Sequence, residues 1–268
     1  MKKSTQDLIA AAYGINEEEE YWGIISELHS RGSESEFLAA INLVNSEDPI
    51  NREIGADILG QLGWREDAFG DESVSLLIPL LSDDCDDVVG SAAYSLGHRR
   101  SYQAIPYLIA VASHRSSRVR NGVAFGLLGL ESEEAVATLI TLSRDMDVDV
   151  RNWATFGVAQ SELDNNDVRV ALKARIADED PDVRGEAFIG LACRGVSEVS
   201  DALVRELAGE FHGNWAIEAA SVLADPACCR ALIELKERES GHIEERFMAD
   251  IEEAVSRCCV DHETGGND

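Results

Sequence analysis

Apolar residues recur along most of this chain at the spacing of one face of an α-helix. From Ile105 to Ala112, for example, positions i, i+3, i+4 and i+7 are all apolar. The spacing predicts two N-terminal helices, at residues 4–13 and 17–30, followed by seven helix pairs. The first helices of the pairs, called A, are predicted at 34–45, 73–82, 102–113, 132–143, 165–177, 197–208 and 227–239. The second helices, called B, are predicted at 49–62, 86–97, 117–129, 148–160, 181–193, 213–224 and 242–258. The chain is therefore predicted to be all-α.

The helix pairs form an internal repeat. One structural position near the start of each B helix is occupied in turn by Asn51, Val88, Val119, Val150, Val183 and Trp215. The steps between these residues are 37, 31, 31, 33 and 32. A period near 32 is typical of stacked helical hairpins, in which each repeat packs only on its neighbours. The one long step coincides with a loop at 63–72, whose Trp64 and Phe69 either contact a partner or pack on the repeat edge.

Sequence motifs at the helix starts resemble those of HEAT repeats. B helices open on an Asp/Pro-x-Val-Arg-x-x-Ala pattern, as at Val119-Arg120, and A helices contain Ile-Pro, as at Ile105-Pro106. The short, phycobilin-lyase-like HEAT subtype is the most similar variety, over about residues 34–258. The resemblance implies a right-handed α-α superhelix (a solenoid) of about seven hairpins. In that fold, A helices lie outside and B helices line a concave groove.

The resemblance gives a simple domain organisation. Residues 1–33 are predicted to be N-terminal capping helices, and residues 34–259 to be the HEAT-like solenoid. Residues 260–268 are polar and glycine-rich and are predicted to be a disordered tail. The whole chain is predicted to be a single domain.

The charge of the chain is strongly negative. Its 51 acidic residues against 23 basic ones give a net charge of −28. Such a chain repels nucleic-acid phosphates and anionic membranes and suits a basic protein partner. The acidity also fits a protein from a high-salt organism. No apolar run is long enough to span a membrane, and the predicted location is the cytoplasm.

Six cysteines are present, none in a C-x-x-C motif, and two vicinal pairs stand about one repeat apart. They are interpreted as small, reduced side chains in helix packing, because vicinal pairs suit zinc poorly. The triad Asp145-x-Asp147-x-Asp149 resembles the start of a calcium loop but lacks the later Gly and Glu. No metal, cofactor or catalytic residue is therefore predicted.

Two features of the B helices are interpreted as structural. Four arginines near the helix starts form a row: Arg52, Arg120, Arg151 and Arg184. In HEAT repeats such arginines bridge to acids in neighbouring turns, and the acids nearby in sequence are Asp48, Asp149 and Asp182. Three glycines recur inside B helices at one repeat position: Gly126, Gly157 and Gly190. Glycine weakens a helix, so close backbone packing is the expected reason.

One turn between helices is basic. Residues 88–130 contain no Asp or Glu, and only this A–B turn is rich in arginine. Its candidate anion site comprises Arg115, Ser116, Ser117, Arg118 and Arg120. Hydroxyls, amides and arginine forks at a helix N-terminus suit a carboxylate or phosphate. Charge neutralisation by the acidic turns on either side is the alternative.

An apolar row runs along the B helices, six residues after each reference position. With adjacent residues, it gives the predicted partner groove: Tyr94, Asn121, Phe125, Asn152, Trp153, Phe156 and Ile189. Asp57 and Ser221 occupy the row in other repeats. Protein partners anchor on aromatic residues, so the row suits peptide binding. Packing between repeats explains the same residues equally well.

These observations predict an interaction protein more than an enzyme. The predicted function is a scaffold or adaptor that holds a basic protein in the groove, one form of which is an immunity-type inhibitor of a basic toxin. The alternative is a phycobilin-lyase-like or chaperone role on a cofactor-bearing protein. No nucleic acid or membrane is predicted as a partner.

Overall fold

The computed structural model describes residues 3–15, 17–64, 68–209, 214–240 and 245–259, and these contain helices and no strand. The α-helices are α1 (Thr5–Ala12), α2 (Glu18–Arg31), α3 (Glu34–Val44), α4 (Pro49–Gln61), α5 (Gly70–Leu80), α6 (Asp86–Arg99), α7 (Ile105–Ala110), α8 (Ser117–Gly126), α9 (Glu133–Leu142), α10 (Val148–Gln160), α11 (Asn166–Arg175), α12 (Pro181–Cys193), α13 (Ser200–Leu207), α14 (Asn214–Leu223), α15 (Cys229–Glu239) and α16 (Glu245–Cys258). A helix stands at every predicted position. The predicted all-α class is confirmed.

Some predicted helices are shorter than expected because they begin with a tighter turn. The A helix predicted at 102–113 is a 3₁₀ turn, Tyr102–Ala104, followed by α7. Pro106 stands at the start of α7, where its missing N–H costs nothing because the first helical turn has no internal acceptor for it. The A helix predicted at 227–239 has the same form, with a 3₁₀ turn at Pro226–Cys228 before α15.

The helices divide into two compact units, Met1–Gly157 and Val158–Asp268, and the division falls within α10. In unit 1, α6 packs between α4 and α8, and α2 packs on α4. In unit 2, α14 packs between α12 and α16. The boundaries 1–33 and 34–259 and the single-domain organisation stay predictions. The tail predicted at 260–268 lies outside the described residues.

Glycines inside the B helices allow neighbouring backbones to touch. A Cβ atom on Gly126 would lie 2.9 Å from the carbonyl oxygen of Ala93 in α6. A Cβ on Gly157 would lie 2.7 Å from a Leu128 methyl, and one on Gly190 would lie 2.7 Å from the Cβ of Ala159. These separations are shorter than real Cβ contacts, so the prediction of close packing is confirmed.

The arginine row forms a ladder, but its acids are not the ones nearest in sequence. Arg52 donates from Nε to Asp83 Oδ2 at 2.6 Å, and Arg120 donates to Asp145 at 2.6 Å. Arg184 donates to Glu206 at 2.9 Å. Each acid belongs to the next hairpin, 22 to 31 residues further on. The hydrogen bond from Arg52 lowers the pKa of Asp83.

The acids that lie nearest to the arginine row in sequence do not pair with it and lie instead at the starts of the B helices. Asp48 is the N-cap of α4 and accepts from the N–H of Ile50, whereas Asp149 and Asp182 lie in the first turns of α10 and α12. Pairing of the arginine row with these three residues was therefore wrong. The arginines also bind carbonyls of their own A–B turn; Arg151, for example, donates to the carbonyls of Asp145 and Met146. Arg52, Arg120 and Arg184 thus each bind both their own turn and an acid of the next hairpin.

A second group of arginines binds the C-terminal ends of helices. Arg194, at the end of α12, donates to the carbonyls of Val158, Ala159, Ser161 and Leu163, at and just beyond the end of α10. Arg99 likewise binds the carbonyls at the end of α4, and Arg238 those at the end of α13. The last four carbonyls of a helix have no partner within it, so a guanidinium from the following repeat satisfies them.

One pair of cysteines is oxidised. Cys229 and Cys259 form a disulfide between the start of α15 and the residue that follows α16. The interpretation of all six cysteines as reduced packing residues was therefore wrong for these two. Vicinal residues on a helix point in different directions, so each vicinal pair places one sulfur in the disulfide and the other, Cys228 or Cys258, in the core.

The loop before α5 has one packed and one exposed aromatic residue. Phe69 stacks on Phe37 of α3, with ring centroids 4.3 Å apart and planes only 9° from parallel. The side chain of Trp64 is largely exposed. Packing on the repeat edge, one of the two predicted roles, therefore applies to Phe69.

Candidate functional site

Unit 1 contains a cavity of about 530 Å³, called here the Asp57 pocket. It lies between α2 and the successive B helices α4, α6, α8 and the start of α10. Its lining residues are Glu18, Trp22, His29, Asp57, Gln61, Ser91, Tyr94, Ser95, His98, Ser117, Arg118, Asn121, Asp147 and Asp149. The volume lies within the range of pockets that bind small molecules or single anchoring groups.

Asp57 is the buried acid of this pocket, with only 6% of its surface exposed. The hydroxyl of Tyr21 donates to Asp57 Oδ2 at 2.6 Å, and His29 Nε2 donates to the Asp57 backbone carbonyl at 2.8 Å. Burial, together with the nearby carboxylate of Glu53, raises the pKa of Asp57 to about 7. The hydrogen bonds from Tyr21 and Ser91 oppose this rise. The carboxyl therefore changes its charge near neutral pH.

The remaining charges make the pocket acidic. Glu18, Asp147 and Asp149 join Asp57 among the lining residues, against one guanidinium, that of Arg118. Burial lowers the pKa of both lining histidines, so both are neutral at pH 7. The charge of Arg118 is itself opposed, because it donates to Glu53 Oε1 at 2.6 Å. A positively charged group complements this lining.

The aromatic residues of the predicted groove form a continuous row beside the pocket. We call Tyr94, Phe125, Trp153 and Phe156 the aromatic row. Consecutive ring centroids lie 5.1, 5.2 and 6.0 Å apart, the separations of packed aromatic pairs. Trp153 is nevertheless 37% exposed. The row therefore packs between repeats and also presents an open ring.

The other predicted groove residues are placed differently. Asn121 accepts a hydrogen bond from the Tyr94 hydroxyl and lines the Asp57 pocket. Asn152 is half-buried on α10. Ile189 is half-buried on α12 in unit 2. The structure thus brings together the groove residues of α6, α8 and α10 within unit 1, and their role in binding stays a prediction.

The basic turn is surrounded by carboxylates. Arg120 belongs to the ladder through Asp145, and Arg118 lies 3.3 Å from Asp87 as well as close to Glu53. The guanidinium of Arg115 is largely exposed and lies 3.6 Å from Asp86. The side chain of Ser116 makes no capping hydrogen bond, and Ser117 lines the Asp57 pocket. These contacts match the charge-neutralisation alternative, and the anion site stays a prediction.

Sequence reasoning missed the wall of the pocket formed by α2. Tyr21, Trp22 and His29 were assigned only to a capping helix, yet all three contact or line the site. One signal was present in the sequence. Asp57 occupies the repeat position that carries Tyr94 and Phe125 in later hairpins, and a carboxylate at a buried position indicates a special environment.

Replacing Asp57 with asparagine is expected to remove part of the pH dependence of stability. A raised pKa in the folded state stabilises the protein fully below the ordinary value near 4, and this contribution is lost as the pH rises through about 7. Between about pH 4 and pH 8, the wild type should therefore lose on the order of 4 kcal/mol relative to Asp57→Asn. Urea unfolding of both proteins at several pH values measures the difference. Parallel pH profiles would contradict the prediction.

Neither a membrane-spanning helix nor a metal-binding cluster occurs among the described residues. Across the described ranges, no helix has the length and apolar character needed to cross a membrane. The same part of the chain contains no group of three or more His, Cys, Asp or Glu side chains arranged to hold a metal ion. The absence of a cofactor or metal and the cytoplasmic location stay predictions.

Comparisons with known proteins concern the repeats. Residues 74–159 match the family model of HEAT repeats. The X-ray structure of YibA from Escherichia coli is similar, with a TM-score of 0.72 and 25% identity over 96% of this chain and 93% of that chain. An engineered protein has a TM-score of 0.56 and 16% identity, over 96% of this chain and 79% of its own. No curated protein sequence matches.

A third similar structure is the complex of CpcE and CpcF of phycocyanin lyase from Nostoc sp. PCC7120. Its TM-score is 0.51, with 16% identity over 96% of each chain. At this identity the likeness concerns the fold alone. HEAT repeats as a class form extended surfaces that bind other proteins. The resemblance to HEAT repeats, including the lyase-like fold, is thus confirmed: residues 74–159 match the HEAT-repeat family, and the fold of the chain is similar to that of the lyase complex.

Proposed function

We propose that this protein is a scaffold or adaptor that binds another protein along the aromatic row of unit 1. The observation that carries the proposal is the continuity of the row with the Asp57 pocket, since Tyr94 belongs to both. Exposed aromatic rings beside a polar cavity are the features on which protein partners anchor. The HEAT-repeat match supports the same class of function.

The partner is proposed to be basic. Carboxylates outnumber cationic groups around the pocket, and the chain as a whole carries a net charge of −28. Opposite charge on a partner would speed association and select against acidic or nucleic-acid ligands. An inhibitor of a basic toxin, the immunity-type form of this function, would use the same surface.

The proposal is tested by replacing both Trp153 and Phe156 with alanine. We expect binding of a partner to weaken at least tenfold, or about 1.4 kcal/mol, because the exposed ring of Trp153 and the half-buried ring of Phe156 beside it are the proposed anchors. Tagged wild type and variant are used to capture proteins from the source cells. Any protein retained is then purified, and its affinity for both forms is measured by calorimetry.

A matched control separates binding from folding. Tyr107→Ala removes an exposed ring from the A helix α7, away from the row, and should leave the affinity unchanged. Circular dichroism should show similar helicity and melting for all three proteins. If the double variant unfolds, the rings belong to the core, and if it binds as tightly as the control, the row is not the interface.

The phycobilin-lyase-like or chaperone role stays the alternative. The lyase resemblance is one of fold, and the proposal assigns no residue of this chain to a chromophore. Bilin absorbance that copurifies with the protein, together with a phycobiliprotein as the captured partner, would favour this alternative over a general scaffold.

A further inference from the structure

The Asp57 pocket has an interior and a rim of different chemistry. Asp57, Ser91 and His29 are buried, whereas Trp22, Glu18 and Asp149 are exposed. The indole of Trp22 is 43% exposed on a helix that also supplies Tyr21, the partner of Asp57. A ligand entering from the rim therefore passes an aromatic ring and carboxylates before it reaches a buried carboxyl group.

This order of groups suits an organic cation. Aromatic faces attract ammonium and guanidinium groups through the ring quadrupole, and the attraction grows when water is excluded. A carboxylate in a buried site interacts with a cation more strongly than one in water. The lining hydroxyls and amides of Ser91, Ser95 and Asn121 are neutral and can accept hydrogen bonds from N–H groups.

We infer that the Asp57 pocket receives the guanidinium or ammonium group of one arginine or lysine side chain of the partner protein. Asp57 is the innermost counter-ion, and Trp22 and Tyr94 supply the ring faces at the entrance. The inference rests on the proposed function, since the aromatic row holds the partner backbone close enough for one side chain to enter. It adds a specific anchor to that function.

The geometry favours a side chain over a free ion. Tyr94 both lines the pocket and begins the aromatic row, so a chain lying on the row would pass beside the pocket. Its volume of about 530 Å³ exceeds that of a hydrated inorganic ion and accommodates a long aliphatic stem with its charged end. Lys and Arg stems pack on apolar surface while the head reaches polar groups.

The first experiment uses a minimal probe. Nα-acetyl-arginine amide is titrated into the isotopically labelled protein, and chemical shifts of the Trp22 indole and of residues near Asp57 are followed by NMR. We expect saturable binding with Kd on the order of 1 mM. Nα-acetyl-citrulline amide, which has nearly the same shape and no charge, should bind at least tenfold more weakly. Equal binding of the two probes would overturn the inference.

The second experiment tests Asp57 itself. Asp57→Asn keeps the shape of the side chain and an oxygen to accept from Tyr21, and should weaken the arginine probe at least tenfold. Asp84→Asn removes one exposed acidic charge from unit 1 outside the pocket and should change affinity less than twofold. Equal losses of affinity in the two variants would show that the probe responds to the overall negative charge of the protein and not to Asp57.

The pH dependence of probe binding gives a separate readout. The groups facing Asp57 are Tyr21 and His29 of α2, Glu53 of α4, Ser91 of α6 and Arg118 of α8. Because burial raises the pKa of Asp57, affinity for the probe should rise as the pH increases through about 7. That rise should be absent in Asp57→Asn. If the affinity of the wild type stopped rising near pH 4, the cation would be bound by the exposed acids, and the inference would be contradicted.

These results are distinguishable from failure of the proposed function. One outcome is that the double variant Trp153→Ala and Phe156→Ala loses the partner while Asp57→Asn binds it normally. That result would support the aromatic row as the interface and overturn the assignment of the Asp57 pocket as an anchor. If spermidine, a free polyamine, binds more than tenfold tighter than the arginine probe, the pocket is a small-molecule site and the assignment to a partner side chain is overturned. Loss of both partner and probe in Asp57→Asn supports the inference.

Discussion

Replacing Arg194 with methionine is expected to lower the free energy of unfolding by about 3–5 kcal/mol. The side chain is only 6% exposed, and its guanidinium donates to four carbonyls at and beyond the end of α10, as well as to that of Gly190. Methionine keeps most of the stem but supplies no donor. Several carbonyls would then be buried without a partner, and each such group costs about 1–3 kcal/mol before any relaxation.

Urea unfolding followed by circular dichroism measures this loss, with Arg230→Met as the control. Arg230 is almost fully exposed and pairs with Glu234 one turn further along α15. Exposed pairs of this kind contribute about 0.3–0.5 kcal/mol, so the control should stay close to wild type. Similar stability of the two variants would show that water replaces the guanidinium of Arg194 at little cost.

A valine at Gly126 is expected to destabilise the protein by about 3 kcal/mol. The first carbon of the side chain would already lie 2.9 Å from the Ala93 carbonyl and 3.1 Å from both methyl groups of Leu108. Overpacking a tight interface costs about 1–3 kcal/mol and occasionally more, and valine adds two further carbons at this point. Part of that cost is offset because valine favours the helix slightly more than glycine.

The same substitution at Gly23 provides the control. Gly23 is exposed on α2, and a Cβ there would meet no atom within 4 Å. Gly23→Val should therefore change the free energy of unfolding by no more than about 0.5 kcal/mol, and in the stabilising direction. Thermal melts of both variants provide the comparison. If Gly126→Val melted at the same temperature as Gly23→Val, the backbones of α6 and α8 would be able to separate without loss of stability.

The helices could be predicted from the sequence because their information is local. The spacing of apolar residues predicts the buried face of each helix, and residues such as Pro49 and Pro181 indicate where B helices start. The acids of the arginine ladder could not be assigned this way. Asp48 is adjacent to the row in sequence but is occupied as a helix cap, so Arg52 reaches Asp83 across to the next hairpin.

The candidate site could be predicted only in part, because some of its contacts join residues that are far apart in sequence. The aromatic row repeats with the period of the chain, so Tyr94, Phe125 and Phe156 could be aligned without a structure. The Asp57 pocket depends on α2, which precedes the repeats and shares no periodic position with them. Tyr21 and Asp57 are 36 residues apart and meet only because α2 packs on α4.

The disulfide between Cys229 and Cys259 affects how the last described hairpin would come apart. In a repeat array each hairpin packs only on its neighbours, so a single hairpin can open locally. The covalent link closes a loop across α15 and α16, between cysteines that are 30 positions apart in sequence. An unfoldase that pulled on this hairpin would meet a cross-link that heat and denaturant do not break. The lifetime of this hairpin would then depend on the thiol reductants of the surrounding compartment.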